Sequence, residues 1–141
     1  MVYDAQNRPF TIASESRAII DLIFRDDTHN YHKAKAILQV GKAELIKKNQ
    51  ESCEQLFLES KAHITEVFGN SSPLLVKYNQ SLIESYNLKP ESDERTAQIV
   101  EMCQKNLELT ATEYGENSLY CVRILYTLFT ARLHEETGKG S

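Results

Sequence analysis

Two stretches of the chain echo each other at a separation of 46 residues. One runs Phe68-Gly69-Asn70-Ser71-Ser72-Pro73 and continues to Val76, Leu82 and Tyr86. The other runs Tyr114-Gly115-Glu116-Asn117-Ser118-Leu119 and continues to Val122, Leu128 and Arg132. In each, an aromatic-Gly pair closes one amphipathic helical pattern, a short polar stretch follows, and another helical pattern begins. A period between about 20 and 50 residues is the mark of a stacked repeat, in which no single unit can bury its apolar surface alone. Helical repeats present surfaces and seldom perform chemistry, so a binding module is the expectation.

The 141 residues suffice for one domain with its own core. Five Gly, three Pro and no alternating runs of β-branched residues point to an all-α fold. With 41% hydrophobic and 26% charged residues the composition is that of an ordinary globular chain. A net charge of −4 gives no general drive toward nucleic acid or an anionic membrane surface. No apolar run approaches the roughly 20 residues that span a bilayer, so membrane insertion is not expected. Cys53, Cys103 and Cys121 are odd in number and far apart. They read as reduced thiols packed as small hydrophobes, which suits a cytoplasmic, reducing compartment.

Six helices follow from apolar spacing and punctuation. A leading helix over 11–25 carries Ile12, Ile19, Ile20, Leu22, Ile23 and Phe24. A second, over 31–48, turns Ala34, Ile37, Leu38, Gly41 and Leu45 inward. Asn49 is expected to cap a third helix that runs to Phe68, with Cys53, Leu56, Phe57, Ile64 and Val67 inward. Gly69 suits a left-handed turn, and Ser72-Pro73 opens a fourth helix that reaches about Asn87. Ser92 caps a long fifth helix to Tyr114. Asn117 or Ser118 caps the sixth, which covers 119–136 with Leu125, Leu128, Phe129 and Leu133 as its inner stripe and Cys121 and Ile124 beside it. Short connections make successive helices antiparallel hairpins. The expected layout is an N-terminal arm over 1–10, the leading helix as a cap, hairpins 31–68 and 73–114, a last helix 118–136 and a flexible tail 137–141.

This pattern resembles a degenerate tetratricopeptide-repeat domain of the kinesin-light-chain variety, whose period is about 42 residues. Ile37, Val40 and Gly41 fall on its first-helix positions, and Cys53 and Phe57 on its second-helix positions. Leu82, Ile83 and Tyr86 repeat the first-helix set 42 residues on, with Ile99 and Cys103 behind them after a four-residue insertion near Pro90. Ile83 and Phe129 depart from the family by replacing its small residue, and Glu44 and Arg132 by replacing an aromatic.

The resemblance implies an α-solenoid acting as a scaffold or adaptor for a protein or peptide partner, without cofactor or metal. The concave groove would be lined by Lys35, Gln39 and Lys42, then Lys77, Gln80, Ser81 and Glu84, then Arg123, Tyr126, Thr127 and Thr130. That face is mildly basic and favours an acidic peptide. The asparagines of the family's chaperone-carboxylate clamp are absent, with Gln39 and Ser81 near their places. Tyr114-Gly115-Glu116-Asn117-Ser118 also resembles a junction in the helical segment of SET-MYND-type methyltransferases, which implies, as an alternative, an accessory part of a larger enzyme. Self-association through the last helix, by an apolar patch of Tyr120, Tyr126 and Phe129, is a third reading.

The densest group of potential ligands is Asp26-Asp27-Thr28-His29-Asn30-Tyr31-His32. It straddles a turn and a helix start, where acidic residues complement the helix dipole without a metal. No phosphate loop, His-Glu-x-x-His or Gly-x-Ser-x-Gly motif occurs. An enzyme is not expected.

Overall fold

The computed structural model describes residues 12–23 and 30–139. Six helices follow in order: α1 (Ile12–Ile23), α2 (Asn30–Ile46), α3 (Gln50–Phe68), α4 (Leu75–Tyr86), α5 (Asp93–Tyr114) and α6 (Leu119–Lys139), with no strand among the described residues. The fold is all-α, and each helix packs against the next in sequence, α2 also touching α4. The N-terminal arm lies outside the described residues. The expected tail does not begin at 137, because α6 continues as helix to Lys139.

The junctions between helices follow from a few side chains. The Ser92 hydroxyl accepts the Arg95 N–H at 3.0 Å, and the Ser118 hydroxyl accepts that of Cys121 at 3.3 Å. Ser72 accepts the Leu74 N–H at 3.2 Å, in a tight first turn ahead of α4. Gly69 and Gly115 have φ of 82° and 89°. Their ψ values of −179° and 155° put them in an extended positive-φ region, not the left-handed helical turn expected for Gly69, and only glycine enters that region readily. Asn49 precedes α3 but makes no side-chain cap. Its amide instead donates to the carboxylate of Glu44, which is buried. The pair closes the α2–α3 turn from inside.

One continuous core runs from α2 to α6. Ala34 and Leu38 meet Cys53, Phe57 and Ile64. Beyond them lie Tyr78, Leu82, Ile83 and Tyr86 of α4, then Ile99, Cys103 and Leu109 of α5, and last Ile124 of α6. Eight of the twelve residues of α4 are buried, which makes it the central helix. The leading helix α1 covers one end of this core: Ile20 seats on Ile37 and Leu56, and Arg17 makes a two-pronged contact with Glu59 of α3. Its neighbour Ile19 faces outward. At the other hairpin, Lys89 bonds Glu54 at 2.9 Å while the Arg95 guanidinium donates to the Lys89 carbonyl, tying the α4–α5 loop to α3.

Two expectations about inward faces are corrected. Val67 at the end of α3 is exposed, because Gly69 turns the chain away before α4 can cover it. On α6 the inward stripe is Cys121, Ile124, Leu128 and Ala131, whereas Leu125, Phe129 and Leu133 are exposed. The helix is rotated from the expected orientation because Cys121 sits against the Gly115 carbonyl at 3.5 Å, which sets which side meets α5.

α2 approaches α3 closely at Gly41. A Cβ there would stand 2.6 and 2.8 Å from two atoms of the Phe57 ring and 3.3 Å from Cβ of Leu56. Alanine is intrinsically better in a helix by about 1 kcal/mol, but overpacking a core costs about 1–3 kcal/mol. Gly41→Ala is therefore expected to destabilise the fold by about 1 kcal/mol or more in denaturant titration. The same change made in a Phe57→Leu background should cost less, a non-additivity that a double-mutant cycle will measure.

Candidate functional site

The residues expected to line a groove divide into two groups. Lys35, Gln39 and Lys42 are exposed along α2, and Lys77 and Glu84 are exposed along α4, with Gln80 half-buried between them. Burial of its stem pushes the Lys77 ammonium below the usual lysine value, and the neighbouring charges of Lys35 and Lys42 add to that. The three lysines thus share one field across two helices. No ion pair neutralises any of them among the described residues. Lys35 and Lys77 instead lean over the rings of Tyr31 and Tyr78, at 5.4 and 5.5 Å from the ring centres.

Ser81 is not part of this face. It is buried, and its hydroxyl donates to the Lys77 carbonyl one turn back, because α4 is enclosed on that side. Arg123, Tyr126, Thr127 and Thr130 lie on α6, which makes no contact with α2 or α4 among the described residues. Tyr126, Thr127 and Thr130 line a separate cleft of about 350 Å³ with Asn87, Arg95 and Thr96 from the α4–α5 corner. The hydroxyls of Thr127 and Thr130 donate to carbonyls of their own helix. They remain able to accept but not to donate elsewhere.

A second polar space escaped the sequence reading. Lys61, Asn79 and Lys105 border a cleft of about 490 Å³ between α3, α4 and α5, with Leu75 and Met102 as its apolar wall. Asn79 is fully buried, and neither its amide nitrogen nor its oxygen has a partner. Desolvation pushes the Lys61 ammonium below its usual value; Lys105 lowers it further and Glu101 opposes that. The signal was an asparagine within the otherwise apolar Val76, Asn79, Ile83 stripe of α4.

No family model matches the chain. Comparison with curated proteins and with solved structures likewise returns no match. No helix among the described residues is long and apolar enough to cross a membrane.

The remaining chemical candidates have definite places. Residues 26–29 of the Asp-Asp-Thr-His cluster lie outside the described residues, and His32 is exposed, with its ring edge-on to Tyr31. No three His, Cys, Asp or Glu side chains gather as a metal site among the described residues. Cys53, Cys103 and Cys121 are all buried and unbridged. Desolvation raises the Cys53 thiol and pushes that of Cys103 up to about 11. A thiolate is strongly disfavoured there.

Two measurements test this burial. DTNB at pH 8 should label Cys53 and Cys103 only slowly in the folded chain and all three thiols at once in denaturant. Buried Tyr78, whose hydroxyl has no partner, is raised by desolvation to about 12. Its unfolded counterpart ionises near 10, so the unfolded chain loses the proton first. Together with Cys103 this makes stability steady below about pH 9 and falling toward pH 12. Tyr78→Phe should flatten the upper part of that decline at little cost near neutral pH, as followed by circular dichroism.

Proposed function

We propose that the chain is a non-catalytic scaffold or adaptor module, built from tetratricopeptide-like stacked hairpins, which grips an acidic peptide segment of a partner protein. The observation that carries this reading is the Lys35, Lys42 and Lys77 face, held in one field by two helices and making no ion pair among the described residues, on a chain whose net charge is −4. Isolated surface lysines normally repel one another into solvent. Three that stay close, with Gln39 and Gln80 between them, offer charge for carboxylates and amides for a peptide backbone.

The repeat reading has its own support. Gly41 meets Phe57 at the pair of positions where the family needs a small residue under a large one. Where the second repeat has Ile83 in place of the small residue, that isoleucine is buried as filler between α4 and its neighbours. The buried, unbridged thiols suit a reducing, cytoplasmic setting.

A fluorescein-labelled glutamate-rich peptide tests the proposal by anisotropy. Binding should weaken as salt rises. Lys42→Glu with Lys77→Glu should reduce affinity about tenfold or more while the helical circular dichroism is unchanged. Equal binding of the variant, or equal binding of a lysine-rich control peptide, would sink the groove assignment.

A further inference from the structure

Three helices converge on the cleft of about 490 Å³ beside Asn79, a volume within the range of small-molecule sites. Leu75 and Asn79 reach it from α4, one helical turn apart. Met102 and Lys105 come from α5 and Lys61 from α3. Its lining holds two kinds of unmet polarity. Asn79 is fully buried, yet both the donor nitrogen and the acceptor oxygen of its amide are unbonded. Buried polar groups are normally paired, so an amide lacking both bonds beside a cleft marks a place for a ligand's own polar atoms. The second is Lys61. Its ammonium rests on the Met102 sulfur at 3.9 Å, a weak acceptor, and neither Lys61 nor Lys105 makes an ion pair among the described residues. Glu101 and Glu108 also border the cleft, but both are exposed whereas the two lysines are half-buried. After burial itself, Lys105 affects the Lys61 ammonium more than Glu101 does. The flexible Lys61 and Met102 side chains, which meet at the cleft, are the ones an occupant parts to reach the amide.

We infer that this cleft binds a nucleoside monophosphate, with its phosphate on Lys61 and Lys105, its base against Leu75 and Met102, and the pairing edge of that base on Asn79. Free phosphate or a simple carboxylate offers acceptors only and leaves the Asn79 carbonyl unmet. A carboxamide is complementary to an edge that carries a donor beside an acceptor, and nucleobases present such edges. A flat ring suits an aliphatic and thioether wall, since sulfur packs well against aromatic rings. Two ammonium groups without carboxylate partners suit a phosphate. The cleft takes no residue from the Lys35, Lys42 and Lys77 face, so nucleotide and peptide occupy separate places.

Isothermal titration calorimetry of the intact chain with adenosine monophosphate is the test. One equivalent should bind saturably, and adenosine and inorganic phosphate should each bind about tenfold more weakly or worse. Asn79→Leu removes the unpaired amide at similar volume. It should cost about tenfold or more in affinity while the melting temperature holds or rises, which a merely structural asparagine would not show. Lys61→Met with Lys105→Met keeps both stems and should lose a similar factor, so the result does not depend on a change inside α4. Lys42→Glu with Lys77→Glu, which disables the peptide face, should bind the nucleotide as the parent chain does. Failure of the peptide to bind leaves these expectations intact. No binding up to millimolar nucleotide, as when water alone satisfies Asn79, would overturn the inference. So would equal affinity for adenosine or for phosphate, indifference to both the Asn79 and the Lys61–Lys105 variants, or competition by the glutamate-rich peptide.

Discussion

The close crossing of α2 over α3 at Gly41 is the constraint on which the remaining packing rests. With no Cβ at that point, the Phe57 ring lies directly against the α2 backbone. The two helices come near enough for Ala34 and Leu38 to share one layer with Cys53 and Ile64. That hairpin forms the wall on which α4 lies. α4 is then enclosed by α3 and α5, and it buries polar as well as apolar residues, Ser81, Ser85 and Asn79 among them. The serines satisfy themselves by donating to their own helix, whereas Asn79 does not. Its amide, like the Tyr78 hydroxyl on the same helix, has no hydrogen-bond partner among the described residues.

Enclosure of α4 also organises the charge. Its one outward edge lies beside that of α2, and lysines on both edges face the same solvent. The chain is acidic as a whole, so this basic face is a local product of stacking and not of composition. A partner carrying carboxylates would relieve the repulsion among the three ammonium groups. Among the described residues no ion pair gives such relief, and the acidic partners of Lys89 and Arg17 are spent on holding the loop and the leading helix in place.

Much of this was legible beforehand. The Gly69 and Gly115 stops, the Ser92 and Ser118 caps and the limits of α3 and α5 all follow from local chemistry, whereas Ser72 does not cap α4, which starts at Leu75 behind a turn. The lysine face was legible only in part. Lys35, Lys42 and Lys77 come near one another because α2 and α4 touch. Ser81 fell on the wrong side of α4, since one step of helix is 100° and burial on three sides leaves only a narrow exposed edge. Tyr126 and Thr127 were grouped with the lysines, but α6 stands apart from α4, and they border the α4–α5 corner instead.

The last helix separates what each level decides. Sequence alone determined that α6 is a helix, that it starts after Ser118, and that apolar residues recur along it in two stripes, because backbone capping and residue spacing are local properties. Which stripe faces inward was not determined, since Cys121, Ile124, Leu128 and Ala131 have the same three-and-four spacing as Leu119, Val122, Tyr126, Phe129 and Leu133. Only the tertiary structure chose. Contact of Cys121 with the Gly115 turn and of Ile124 with the core orients the helix about its axis, and the larger, aromatic stripe is left in water. The physical reason is that rotation of a doubly apolar helix is fixed by the shape of the surface beneath it, and that surface is assembled from residues far away in the chain.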